Sequence, residues 1–384
     1  MSYALSQMAP LSDINGNVSV YMDNTTTRVY MAVSTGNVYV GDVVNNTWTQ
    51  SVLASGSAGS FINRDFFSVV CDGTGQYVIT CVRSDASANG TVFYSSDYGS
   101  TFTVSDSSIN KYCFNLAMSS DSNNAYLSTW GEAAPLIDSV TIGLAALYKS
   151  IDRGITWTPI VLAANGFTYT SLPCQVKCNN TGEYISMSFW KRVQNCVMLS
   201  DYGNTIIFAG PVANNGYINS NPGIFTNAGN TAVRALCMNR TTSTNYSNIN
   251  KVAVYTNSPY TSAFGISSNS PFGFVQVSGA NTRYPWTGAR IIASTSDFTT
   301  IFCTDTGNPS VPTSIGNVYI CTNGMPGLAW FSTASVDGGS SWSNFSVSQN
   351  IPRAAWSGLC VNYNNNFAFA NSVGNVYIYA KPLA

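Results

Sequence analysis

The sequence predicts an all-β chain folded as a seven-bladed β-propeller and closed by its own N-terminal strand. Three observations lead there. Short runs rich in Val, Ile, Tyr and Phe alternate with Asn, Gly, Asp and Ser clusters, and helical periodicity is almost absent. One turn spelling recurs along the chain. Two further motifs recur in step with it, and a supersecondary unit repeated at a regular spacing marks a repeat architecture.

The turn reads Ser-x-Asp-x-Gly-x-Thr-Trp. It occurs at Ser95-Ser96-Asp97-Tyr98-Gly99-Ser100-Thr101-Phe102, at Ser150-Ile151-Asp152-Arg153-Gly154-Ile155-Thr156-Trp157 and at Ser335-Val336-Asp337-Gly338-Gly339-Ser340-Ser341-Trp342. A partial copy, Ser200-Asp201-Tyr202-Gly203-Asn204-Thr205, has Ile206 where the Trp would stand. A looser relative runs from Asp42 to Thr47-Trp48, with one extra residue and no Gly. The spelling has a physical logic. Asp accepts hydrogen bonds from amides further along the turn. Gly supplies a positive φ at little steric cost. The closing aromatic opens the next strand and buries a large apolar surface.

The second motif is Cys71-Asp72-Gly73-Thr74-Gly75-Gln76-Tyr77, matched position by position by Cys178-Asn179-Asn180-Thr181-Gly182-Glu183-Tyr184. It reads as the tight turn between the first and second strands of a unit. The third is Gly36-Asn37-Val38-Tyr39, repeated at Gly316-Asn317-Val318-Tyr319 and Gly374-Asn375-Val376-Tyr377, and reads as entry into a third strand. Together they place first strands near Val18, Phe66, Tyr112, Cys174, Thr231, Ala289 and Ala354, so residues 1–384 read as one propeller domain. The last unit ends after three strands, and residues 2–9 are expected to supply its outer strand, removing an open sheet edge. Ala209 to Asn230 and Ser267 to Thr287 read as long loops between blades.

Composition narrows the function. Only 9% of residues are charged and the net charge is −1, so nothing draws the chain to nucleic acid or to an anionic membrane. No apolar run approaches the ~18 residues of a membrane span, and the N-terminus lacks the pattern of a signal peptide. The ten Cys sit mostly in strands at equivalent repeat positions, too far apart to be bridged, and read as buried free thiols. Synthesis in a reducing compartment follows. There is no His, which excludes Ser–His–Asp and Cys–His catalysis. Cys174 and Cys178 lack partners for metal ligation, so no metal and no cofactor is expected. A surface built from Asn, Ser, Thr, Gly and Tyr suits hydrogen bonding to sugars or close packing in a large assembly such as a virion.

The recurring turns resemble the Asp-box, or bacterial neuraminidase repeat, of the sialidase-like β-propellers. That group includes sialidases, some xyloglucan hydrolases, sortilin-type receptors and a photosystem assembly factor. The resemblance covers most of the chain through the wider repeat. It implies that Asp97, Asp152, Asp201 and Asp337 are structural, at the turn between third and fourth strands and away from the ligand face. Sialidase activity is not implied. The first blade has no Arg-Ile-Pro motif, and the nearest string, Ile351-Pro352-Arg353, lies late in the chain and in another order. Sialidases resemble one another in six blades rather than seven.

Ligand-face loops join second to third strands or link successive blades. There lie Arg64, Arg83, Lys191, Arg192, Arg283 and Arg353, together with Trp130, Trp190, Tyr217, Trp286 and Trp356. Arg grips carboxylates bidentately and flat aromatics stack on sugar rings. Trp130-Gly131-Glu132 and Trp190-Lys191-Arg192 are the tightest aromatic–charge clusters. The carboxylates of these loops, Asp65, Asp85, Glu132, Asp138 and Asp305, show no spacing that singles out a catalytic pair. The expected function is therefore a rigid binding or assembly module for a glycan or a protein, with no catalytic residue named. A glycoside hydrolase of sialidase-like or endo-glucanase-like type is the alternative, and it requires two carboxylates across a cleft.

Overall fold

The computed structural model describes residues 3–12, 14, 16–34, 36–55, 61, 64–83, 90–105, 109, 112–130, 147–160, 172–190, 196–210, 223–226, 233–239, 251–257, 274–276, 289–294, 301–305, 318–321, 343–344, 348–352 and 354–380. Among these residues the strands fall into seven antiparallel meander sheets. From inner to outer strand, the first is Val18–Met22, Arg28–Val33, Val38–Asp42 and Thr47–Gln50. The second is Phe66–Cys71, Val78–Val82, Thr91–Ser95 and Thr101–Val104, with Val52–Leu53 added in parallel on its outer edge. The third is Tyr112–Met118, Ala125–Trp130, Leu147–Ser150 and Thr158–Ile160. The fourth is Leu172–Cys178, Ile185–Trp190, Cys196–Ser200 and Thr205–Gly210. The fifth is Gly223–Thr226, Val233–Asn239, Lys251–Asn257 and Phe274–Gln276; the sixth is Ala289–Ser294, Ile301–Asp305, Val318–Cys321 and Ser343–Asn344. The seventh is Trp356–Val361, Phe367–Asn371 and Val376–Ala380, completed by Ala4–Gln7 from the other end of the chain.

This is an all-β propeller. Inner strands of consecutive sheets lie against one another, and Val18–Met22 lies against Trp356–Val361. Where seven blades were expected, five, the first four and the seventh, have their side-chain packing described; in the other two only Phe302 and Val318 are placed by burial. The loops expected over Ala209–Asn230 and Ser267–Thr287 each contain a strand, Gly223–Thr226 and Phe274–Gln276. A four-residue strand amid Asn and Gly carries too little hydrophobic pattern to be read from sequence. Trp356, expected on a ligand-face loop, instead opens an inner strand and is fully buried against Phe369 and Tyr377.

The strand sequences explain the layering. Val78–Val82 is buried at every position, because its sheet is covered on both faces by neighbours. Thr47–Gln50, at the outer edge, is exposed or half-exposed throughout, and its residues are polar apart from Trp48. The Trp48 indole donates to the Ala9 carbonyl at 2.7 Å, fastening the N-terminal segment to the first sheet after that segment has paired with the seventh. Cys71, Cys81, Cys113, Cys178 and Cys360 are buried and free.

Neighbouring sheets are stitched at two levels. Near the middle of the inner strands, the Ser357 hydroxyl accepts from the Val18 amide, Ser19 from Val69, Ser68 from Leu116, and the Asn115 amide oxygen from Val176. At these four junctions one sheet satisfies an inner-strand N–H of the next, a group that would otherwise be unpaired in the core. At the ends of the first strands, the tight turns hold each other directly. Asn24 donates its amide to Gly73, Gly73 to Ser120 and Ser120 to Asn180, at 2.8–2.9 Å.

Candidate functional site at the loop end

A propeller has two ends. At one, the turn end, first strands pass to second and third strands pass to fourth. At the other, the loop end, second strands pass to third and each sheet passes to the next.

The recurring Asp turns lie at the turn end. Asp152 Oδ1 accepts from the Thr156 amide at 2.9 Å and the Ser150 hydroxyl at 2.8 Å, and Oδ2 accepts from the Thr156 hydroxyl at 2.6 Å. The Ser150 hydroxyl oxygen in turn accepts from the Gly154 amide at 2.8 Å. Asp97 repeats the pattern with Thr101 and Ser95, at 2.9, 2.7 and 2.7 Å. Partial burial acts to raise both carboxyls, but the Thr and Ser donors outweigh it and hold them below the usual carboxylate range. Asp201 departs from the pattern. It sits in a short 3₁₀ turn without a cap from Ser200, consistent with its incomplete spelling. Asp337 lies outside the described residues.

Two features of these turns are invisible in their spelling. The residue before the Gly also takes positive φ, at Tyr98 (61°), Arg153 (65°) and Tyr202 (53°). That residue is turned onto the preceding sheet. Arg28 lies 4.3 Å from the Tyr98 ring centroid, Arg153 lies 4.0 Å from that of Tyr77, and Lys149 lies 4.8 Å from that of Tyr202. A cation–π clasp therefore joins sheets one to two, two to three and three to four, with cation and ring exchanging sides. The Gly itself is pressed against the preceding sheet, and a Cβ on Gly154 would stand 2.7 Å from Ile79 Cδ1.

The loop end carries the candidate ligand residues. Trp130 ends the second strand of the third sheet opposite Tyr112, and Trp190 ends that of the fourth opposite Leu172. The two Trp thus occupy matching register positions in consecutive sheets. Val82, opposite Phe66, holds the same position in the second sheet. Arg83 follows it, and its Nε donates to Asp65 Oδ2 at 3.0 Å in a pair that is partly open to solvent. Its guanidinium lies 5.4 Å from the Phe67 ring, which in turn packs on Phe114 with centroids 4.7 Å apart. Phe67 and Phe114 are half-exposed, and each sits at an irregularity in its inner strand, where one residue bulges from the ladder. Arg64 is half-buried. Its backbone bridges to Gly36 of the first sheet with paired bonds of 3.2 Å, and its guanidinium lies 5.4 Å from the buried Phe93 ring. Glu132, Arg192, Arg283 and Arg353 lie outside the described residues, as do Lys191, Tyr217 and Trp286.

The described part of the loop end therefore joins an aromatic pair to an Arg–Asp pair beside two register-matched Trp positions. Phe67 and Phe114 were missed by sequence reading. Each stands one residue before the polar inner-strand residue, Ser68 or Asn115, and that offset is the signal that finds them. Among the described residues no cluster of His, Cys, Asp and Glu could hold a metal ion, and no helix is long and apolar enough to cross a membrane.

Fold and end-to-end arrangement define a β-propeller, and solved structures of that class resemble it over nearly its whole length. Hydrazine synthase of Kuenenia stuttgartiensis is 9% identical with a TM-score of 0.61, covering 96% of this chain and 97% of that one. The GH74 xyloglucanase of Xanthomonas campestris is 14% identical with a TM-score of 0.57; this chain matches over 97% of its length but spans only 53% of the enzyme. YCF48 bound to a D1 peptide is 10% identical with a TM-score of 0.57, covering 100% of this chain and 98% of that one. At such identities the likeness is one of fold. No family model matches the chain, and no curated protein matches it.

Proposed function

We propose that residues 1–384 form one seven-bladed propeller of the Asp-box type, acting as a rigid, non-enzymatic binding or assembly module. Seven sheets with the last against the first support the blade count, and the twice-repeated Ser–Asp–Thr turn geometry supports the type. The partner is a glycan or a protein. Trp130, Glu132, Trp190 and Arg192 hold it at the loop end, with Arg64, Arg83, Arg283 and Arg353 around them. The observation that carries this reading is the matched register of Trp130 and Trp190, continued by the half-exposed Phe67–Phe114 pair. Flat aromatic surface at one end of a rigid ring suits sugar rings or apolar peptide side chains at low entropic cost. Both kinds of partner have precedent on this fold, in a propeller bound to a peptide and in a xyloglucanase. The low-charge, Asn- and Ser-rich surface fits a component of a virion or another large particle.

The competing reading is a glycoside hydrolase with Glu132 as one of its two carboxylates. Glycan and peptide arrays probed with wild type and with the Trp130→Ala, Trp190→Ala double variant separate the two. Binding lost in the double variant, without turnover of sialosides or β-glucans, is the expected outcome. Turnover that vanishes in Glu132→Gln would replace the module by the enzyme.

A further inference from the structure

The inner strands of the first four sheets and the seventh hold one charged residue, Lys177. It belongs to the fourth sheet, yet its ammonium lies 5.8 Å from the ring of Tyr21 in the first. Those sheets are not neighbours, so the contact crosses the central channel. Tyr363 of the seventh sheet also crosses it. The Tyr363 hydroxyl donates to the Met118 carbonyl at 2.7 Å, lies 3.3 Å from the Asn179 carbonyl, and shares a hydrogen bond with Tyr21. Tyr363 thereby reaches across the channel to the third and fourth sheets at the turn end, and Lys177 stands one residue before the end of its inner strand.

We propose that Lys177 anchors a compact carboxylate entering the central channel from the loop end. No hydrogen bond or carboxylate partner pairs with its ammonium among the described residues. Its neighbours Cys178 and Cys360 are pushed by burial up to about 12, so both thiols are neutral at pH 7 and supply no counter-charge. Enclosure by the surrounding sheets lowers the Lys177 ammonium from its ordinary value, while the side chain keeps partial access to solvent. A half-buried ammonium beside a ring and neutral thiols is a charge without a counter-ion among the described residues. An arriving carboxylate supplies it through charge-assisted hydrogen bonds. The site stands whether the loop end binds a glycan or a protein.

The test uses full-length protein labelled with ¹³C at lysine Cε. Acetate and N-acetylglycine are titrated at constant ionic strength, with chloride as the balancing anion and N-acetylglycinamide as the neutral control. The Lys177 resonance is identified by its absence in Lys177→Met. A saturable shift with both carboxylates and none with the amide is expected. Acetate should also raise the melting temperature of wild type and of Lys177→Arg above their values in chloride, and leave Lys177→Met unmoved. Should Lys177→Met fail to fold, assignment through Lys177→Arg lets the wild-type titration decide. A Lys177 signal that does not saturate with either carboxylate, or an equal acetate effect in Lys177→Met, would overturn the proposal.

Discussion

Asp152→Ala offers a quantitative test of how the blades are held. The substitution removes three hydrogen bonds at once, from the Thr156 amide, the Thr156 hydroxyl and the Ser150 hydroxyl. Thr156 is exposed, so water can replace the carboxylate at its amide and hydroxyl. That places the cost toward the lower end of the range for a lost buried acceptor, about 1–2 kcal/mol. At an unfolding entropy of about 2 cal/mol/K per residue, such a loss lowers the melting temperature by roughly 1–3 °C. Differential scanning calorimetry at pH 7 on wild type and variant reads it directly. The pH dependence has a definite sign. The Asp152 carboxyl is held below its unfolded value near ~3.9. Its contribution is therefore complete above that value and is lost as pH falls through the lower, folded one. The gap between wild type and variant should shrink toward zero at the lowest pH where both remain folded. Equal melting temperatures at pH 7, or a gap that persists undiminished in acid, would refute the assignment of the carboxylate as the turn's acceptor.

Three other outcomes follow from the same contacts. Gly154→Ala should destabilise by more than Asp152→Ala, since it forces a Cβ to 2.7 Å from Ile79 at a φ of 88°; chemical denaturation of both variants ranks them. Deleting residues 1–9 removes the pairing with Val376–Ala380 and the bond from Trp48 to Ala9, so melting should fall by several degrees and light scattering should reveal aggregation through the bared edge. Arg153→Ala should lose about 0.5–1 kcal/mol through its clasp with Tyr77, and a double-variant cycle with Tyr77→Leu should recover that coupling.

Much of this fold is legible in the sequence because its unit is repeated. The copies at Asp97 and Asp152 spell turns whose hydrogen bonds are superposable, and the copies at Asp72 and Asn179 spell turns that each accept the amide of a Tyr five residues on. The third motif enters third strands at Val38 and Val376. The less legible parts lack that redundancy. The Gly223–Thr226 strand has neither a motif nor an apolar run of useful length. Trp356 was misplaced because a Trp next to loop residues looks the same whether it opens an inner strand or lies on a loop; only packing against Phe369 and Tyr377 decides.

The site is harder to read than the fold for a physical reason. Repeats specify what is common to the blades, whereas a binding surface depends on what differs between them. Trp130 and Trp190 carry a composition signal, and their register places them at one end. Phe67 and Phe114 are half-exposed where the inner strands bulge, an irregularity that the sequence pattern does not encode. Lys177 and Tyr363 meet groups of distant sheets, at separations that no local pattern encodes.

In the proposed function the loop end binds a partner without catalysing a reaction. The decisive measurement is crystallographic: the distances between the carboxyl groups of Glu132, Asp65, Asp85, Asp138 and Asp305. No two of them should face each other across a cleft at the ~5–9.5 Å that glycoside hydrolysis requires, and Trp130 and Trp190 should present their faces to solvent. Two carboxyl groups at that separation, with Glu132 among them and the two Trp lining the cleft, would contradict it.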